Sequence, residues 1–355
     1  MKKILISIWF ASIFFIDQTP VNACTTFCIS DPDHLIFGRN FDFSTGLGHV
    51  ITNKRNVLKT ALVQAPEKSF SWISKYGSVT FNQIGREFPY GGINEKGLVI
   101  EQMWLDETVY PEVDKRYGLT ELQWIQYQLD NAANVDEVLK SDSLVRVSKL
   151  SMATIHFLLC DREGNTAIIE YLNGKMVTHT KTSMPIAVLS NDSYQKCNNY
   201  IKNFSGFGGV NSIPNTTESL DRFVKAASMI KNYKNQNVID YSFEILNNVT
   251  QGSGTKWSIV YDIKNMAVYY KTYSNKTVKS FRLSDFDFSC SLPTLFVNME
   301  DNMNNDKLMF QNYSYQSNRN LIDNVFDNVA FLQPLPVAVR ELYAKYPETT
   351  ICNNK

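Results

Sequence analysis

Two apolar-rich runs, Thr25 to Ser30 and Leu35 to Phe43, flank the turn formers Asp31-Pro32-Asp33, which reads as strand, turn, strand. Gly77 to Gln83 and Leu98 to Leu105 read as further strands, the second entered through the turn-rich stretch Gly91-Gly92-Ile93-Asn94-Glu95-Lys96-Gly97. The period then changes. Thr120 followed by Gln123 resembles a capping box, and Leu122, Ile125 and Leu129 recur at helical spacing; Asn134 with Glu137 offers a second helix start. Thr154 to Cys160 and Thr166 to Leu172 are strand-like around a polar turn, and Ile186 to Leu189 is a short strand ending at Ser190-Asn191-Asp192. Helical stretches follow at Glu218 to Tyr233 and Asp240 to Val249. Lys256 to Asp262 and Met266 to Thr272 form a hairpin with a third strand at Thr277 to Leu283. After Cys290 the chain is rich in Asn and Asp and weakly periodic until a final helix, Val337 to Tyr346, entered through Pro336. No internal repeat or low-complexity linker divides it. The pattern predicts an α+β layered domain over residues 24–355, with antiparallel sheets and helices packed outside them.

The first 23 residues stand apart. Lys2 and Lys3 precede an apolar run from Ile4 to Ile16, and Val21-Asn22-Ala23 supplies a small residue before a cut, the tripartite pattern of a signal peptide over residues 1–23. The run is shorter than the roughly 20 residues of a membrane span. A periplasmic or secreted protein with no membrane span is therefore expected. Without the leader the chain keeps 33 basic residues (35 less Lys2 and Lys3) and 34 acidic ones (35 less Asp17). That balance gives no electrostatic footprint for nucleic acid, and small molecules are the expected partners. The four histidines show no metal-ligand spacing, and six cysteines are too few for a disulfide scaffold. Cys24 and Cys28 would stand about 13 Å apart in an extended strand, beyond bridging distance.

Cleavage after Ala23 would leave Cys24 with a thiol and a free α-amine. The amine titrates near ~8 and the thiol near ~8.5, so one residue can be both nucleophile and general base. Cys24-Thr25-Thr26-Phe27-Cys28, with Phe37-Gly38-Arg39-Asn40-Phe41-Asp42 after it, resembles the opening of the choloylglycine hydrolase family, which includes penicillin V acylases and bile salt hydrolases. Asn94-Glu95-Lys96-Gly97-Leu98, Leu189-Ser190-Asn191 and Asp221-Arg222-Phe223 continue the resemblance in order. It implies a four-layer αββα sandwich of the N-terminal-nucleophile hydrolases and hydrolysis of a linear amide through a thioester, with no cofactor and no metal. It also implies roles. Cys24 is the nucleophile, Asp42 accepts a hydrogen bond from its α-amine, Arg39 favours the thiolate, Asn191 donates to the oxyanion, and Arg222 completes the network around amine and aspartate. A homotetramer is implied as well.

Trp104 stands where many bile salt hydrolases carry a second asparagine. Its backbone N–H remains available as an oxyanion donor, and the resemblance is then to the penicillin V acylase branch of Gram-negative bacteria, whose members also tend to cleave N-acyl homoserine lactones. Other readings stand beside this one. Conjugated bile acids are the alternative substrate, and Val21-Asn22-Ala23-Cys24 approximates a lipobox, which would make a lipid-anchored surface protein with its thiol and amine both blocked. Trp104 also suits a core, Asn94 to Gly97 a plain hairpin turn, and Gly206-Phe207-Gly208-Gly209 either a pocket loop or a connector.

Overall fold

The computed structural model of the chain describes residues 23–304 and 307–353. The expected leader, apart from Ala23, lies outside the described residues. Two large antiparallel sheets dominate. The first has six strands in the spatial order Val188–Leu189, Thr25–Ser30, Leu35–Asp42, Thr255–Asp262, Ala267–Thr272 and Lys279–Arg282. The second has nine, with Val99–Trp104 between Ile155–Cys160 and Pro89–Asn94 near its middle. Both sheets are built largely of buried strands, because each has neighbours on its two faces.

Alternation along Leu35–Asp42 decides what each face meets. Arg39 reaches across to Glu101 of the second sheet, whereas Asn40 points the other way and donates to the carbonyl of Leu246 in the helix Val238–Asn248 at 2.7 Å. In the neighbouring strand Thr26 contacts Met103 of the second sheet at 3.0 Å, while Thr25 meets Arg222 of the helix Ser219–Lys231. The helix Glu121–Asn131 covers the outer face of the second sheet: Trp124 packs on Phe157, and Asn94 donates to the carbonyls of Leu129 and Ala132 at 2.9 and 2.8 Å. Helix, sheet, sheet and helix thus form the expected four layers. The Asn94 side-chain oxygen also accepts from the amides of Lys96 and Leu98, so this motif locks a hairpin onto a helix end, with Gly97 at φ +84°.

Several expectations need correction. A helix, Tyr315–Asn328, fills the stretch read as weakly periodic; Leu321, Ile322, Val325 and Phe326 make its buried stripe. The strand expected from Ile186 contracts to Val188–Leu189, because the Ile186 amide turns to the hydroxyl of Tyr194. Pro336 caps the last helix instead of occupying its first turn. Thr120 caps Glu121–Asn131 as expected, but the Gln123 side chain accepts from the amide of Leu62 at 2.6 Å and so ties the helix to a neighbouring loop. Gly206 to Gly209 is a connector packed so closely that a Cβ on Gly209 would lie 2.1 Å from the Asn203 backbone. Cys290 and Cys352 form a disulfide, with Cα atoms 5.4 Å apart.

Candidate active site

Cys24 sits at the head of the strand Thr25–Ser30, 4 % exposed, and its register puts it beside the end of Leu35–Asp42. Its thiol points at the carbonyl of Asp42 at 4.0 Å. Burial pushes the thiol up from its ordinary value; Arg39 pulls it down, Asp42 pushes it further up, and Arg222 pulls down again. Arg39 is thus the largest pull toward the thiolate, and burial outweighs it. Its guanidinium is itself fully buried and ion-paired with Glu101, and it donates a second bond to the carbonyl of Gln102 at 3.1 Å, so much of its charge is already answered.

Glu101 is a site residue that sequence reasoning missed. Its other oxygen accepts from the hydroxyl of Tyr261, which fixes the carboxylate between two donors. Gly91 lies opposite on the neighbouring strand, and a Cβ there would stand 2.0 Å from the Glu101 carboxylate. The available signal was a glycine pair facing an acid across an apolar hairpin.

Asp42 is buried and uses one oxygen to accept from the hydroxyl of Thr255. The other oxygen has no hydrogen-bond partner and lies 3.9 Å from Arg222. Burial pushes its carboxyl up to about 7, against the pull of Arg222, the Thr255 hydroxyl and Arg39. A buried carboxylate oxygen without a hydrogen-bond donor costs free energy.

Arg222 brings the remaining pieces together. Its Nη1 donates to the carbonyl of Cys24 and the hydroxyl of Thr25, each at 2.6 Å, and its Nη2 donates to the side-chain oxygen of Asn191 at 2.8 Å. Asn191 in turn donates from Nδ2 to the carbonyl of Trp104 at 2.9 Å. One hydrogen of that amide is left to point elsewhere. Cys24, Arg39, Asp42, Asn191 and Arg222, spread over nearly 200 residues of sequence, thus form one cluster, and Trp104 adjoins it.

Cys24 and Asp42 open onto a cavity of about 60 Å³. Phe41, Phe43, Phe88, Tyr90 and Trp104 line it, so its walls are aromatic. Trp104 is half-buried and belongs to this wall instead of the closed core. The space is small and opens to solvent on one side. Among the described residues no cluster of His, Cys, Asp and Glu could hold a metal ion, and no helix is long and apolar enough to cross a membrane.

Known proteins resemble this chain in sequence and in fold. The sequence model of the linear amide C–N hydrolases, choloylglycine hydrolase family, matches residues 24–296. Penicillin V acylase of Pectobacterium atrosepticum is 29% identical over 314 residues, covering 75% of this chain and 82% of that protein. Among solved structures, penicillin V acylase from Agrobacterium tumefaciens superposes with a TM-score of 0.68 at 26% identity, over 77% of this chain and 90% of its own. A mutant conjugated bile acid hydrolase from Clostridium perfringens gives a TM-score of 0.64 at 18% identity, over 82% of this chain and 97% of its own, a likeness of fold.

Proposed function

This chain belongs to the choloylglycine hydrolase family of linear amide C–N hydrolases, and on that premise we propose that it is an acylase of the penicillin V acylase type acting through Cys24 as an N-terminal nucleophile. The observation that carries this reading is the side-chain oxygen of Asp42 that has no hydrogen-bond partner, on a carboxylate whose charge acts on the Cys24 thiol. Cleavage after Ala23 would create an ammonium next to it, and that ammonium is the donor the carboxylate lacks. Export to an oxidising compartment, periplasmic or extracellular, accords with such cleavage and with the Cys290–Cys352 disulfide.

The α-amine, unprotonated and held by Asp42, takes the thiol proton as sulfur attacks the amide carbon. Because burial raises the thiol, proton transfer and attack are coupled. The free N–H of Asn191 and the backbone N–H of Trp104 receive the oxyanion. Collapse breaks the C–N bond, the α-ammonium protonates the leaving amine, and a thioester to Cys24 remains. Water then attacks with the α-amine as base, releasing the acid and restoring the thiol.

A small cavity with aromatic walls suits a phenoxyacetyl group, with N-acyl homoserine lactones as further substrates. Intact mass of the exported protein, followed by hydrolysis assays on penicillin V, acyl homoserine lactones and glycocholate, tests the reading. Expected are a chain beginning at Cys24, cleavage of penicillin V, and loss of nearly all turnover in Cys24→Ser. A lipid-modified Cys24 or a preference for glycocholate would sink it.

A further inference from the structure

The cavity is not closed by the family portion of the chain alone. Three of its wall residues, Phe331, Leu332 and Tyr343, come from beyond residue 296, where the family match ends. They belong to a hairpin of two helices, Tyr315–Asn328 and Val337–Lys345. The first is capped by Ser314, whose hydroxyl accepts from the amide of Ser317 at 3.1 Å. Arg319 pairs with Glu341 and Arg340 with Asp327, clipping one helix to the other.

The hairpin is docked on the rim of the pocket at defined points. Asn318 accepts from the amide of Arg86 at 2.9 Å and donates to the carbonyl of Ala344 at 3.3 Å. Gly85, at φ +88°, permits this approach: a Cβ there would lie 2.8 Å from Ile322 and 2.9 Å from Asn318. Tyr343 packs edge-on against Phe88, ring centroids 4.6 Å apart. The turn between the helices places Leu332 in the core, 2 % exposed, and holds Phe331 over the pocket with its ring 6.4 Å from both Trp104 and Phe43. Phe331 itself is 41 % exposed. A large aromatic left this open, on a turn whose neighbour is buried, is poorly explained as packing.

We propose that this C-terminal helical hairpin is the enzyme's specificity element, with Phe331 as the residue that sets how long an acyl group the pocket accepts. The claim rests on the acylase reading above and goes beyond it by assigning selectivity to a segment outside the family match. The residues around Cys24 supply the chemistry and one wall; the hairpin supplies the end-stop. A short acyl group fits beneath Phe331, and a longer chain must displace it.

The test compares kcat/KM for penicillin V with kcat/KM for N-decanoyl homoserine lactone in the mature enzyme and in Phe331→Ala and Phe331→Trp. Because Phe331 is partly exposed, both variants are expected to fold with unchanged thermal midpoints. Phe331→Ala is expected to shift the ratio toward the decanoyl substrate by about tenfold or more, the scale on which pocket shape discriminates acyl length, and Phe331→Trp to shift it the other way. Ratios that stay at the parent value in both variants would overturn the proposal. Should the parent cleave neither substrate, the acylase reading fails separately. Tryptophan fluorescence titrations of parent and Phe331→Ala with phenoxyacetate and decanoate then test the end-stop, which stands only if the variant gains decanoate binding.

Discussion

Arg222 donates from Nη2 to the side-chain oxygen of Asn191 at 2.8 Å, and this bond decides which way the amide faces. With its oxygen held by a guanidinium and one N–H spent on the carbonyl of Trp104, Asn191 has a single N–H to offer. Asn191→Ala is expected to lower kcat by about 100- to 1000-fold with little change in KM, the usual effect of deleting one oxyanion donor. Steady-state kinetics on the preferred acyl amide checks this. A loss confined to KM would mean that Asn191 binds substrate and does not stabilise the transition state.

Asp42 is expected to cost stability until Cys24 acquires a free amine. Its carboxyl ordinarily titrates near 3.8 and is pushed up to about 7. Between these values the folded state keeps a proton that the unfolded state has lost, so stability falls as pH rises through the window and stays lower above it. Three pH units at ~1.4 kcal/mol each give an upper bound of about 4 kcal/mol. In a chain that retains residues before Cys24, Asp42→Asn should therefore raise the thermal midpoint at pH 8, by an amount that shrinks toward pH 4. In the processed chain the ammonium offsets the penalty and the gain should largely vanish. Equal gains in both forms would show that Asp42 does not receive the amine.

The local parts of this site were legible because they obey short-range rules. Strand alternation and a Pro-containing turn bring Cys24, Arg39 and Asp42 into one hairpin. Asn191 and Arg222 have no such link to Cys24, and only the motifs Leu189-Ser190-Asn191 and Asp221-Arg222-Phe223 pointed to them. Glu101 was passed over because an acid in an alternating strand ordinarily faces water; here a second sheet covers that face and presents Arg39 and Tyr261. The helix Tyr315–Asn328 was obscured by its own composition. Asn and Asp weaken helix propensity, and the stripe from Leu321 to Phe326 gains its meaning only when Gly85 lets it dock.

Gly91→Ala tests the support behind Arg39. The new methyl group would enter the space of the Glu101 carboxylate. That carboxylate cannot yield freely, since Arg39 and Tyr261 hold both its oxygens. Displacing it leaves a buried guanidinium without its counter-charge, a change that typically costs 3–5 kcal/mol, or roughly that order here. A thermal midpoint well below the parent's is expected, with kcat reduced in whatever fraction folds. An unchanged midpoint and rate would mean that the Arg39–Glu101 pair has no role in stability or in holding the site.

Glu170 extends the same logic to a network behind Asn191, the proposed oxyanion donor. Its carboxylate accepts from His156 and from His179, each at 3.2 Å, and from the amide of Tyr194 at 2.8 Å. The opposite ring nitrogen of His156 donates to the carbonyl of Ser190 at 2.8 Å, one residue before Asn191. Burial alone would push Glu170 up, but the bonds to His156 and His179, the charge of His156 and the Tyr194 amide outweigh it and hold the carboxyl at about 2. Since an unfolded glutamate titrates near 4.5, this group contributes stability that is fully present above that pH and is lost as pH falls toward 2. The shift corresponds to about 3 kcal/mol at most. Glu170→Gln should lower the thermal midpoint at neutral pH and flatten the loss of stability on acidification, since the titrating group is gone. It should also lower kcat more than it raises KM, because the Ser190–Asn191 turn loses its backing. Thermal denaturation between pH 2 and 7, paired with kinetics at pH 7, separates the two effects. A variant with the parent's acid limb would show that other carboxylates govern acid unfolding, and a parent-like kcat would confine Glu170 to the fold.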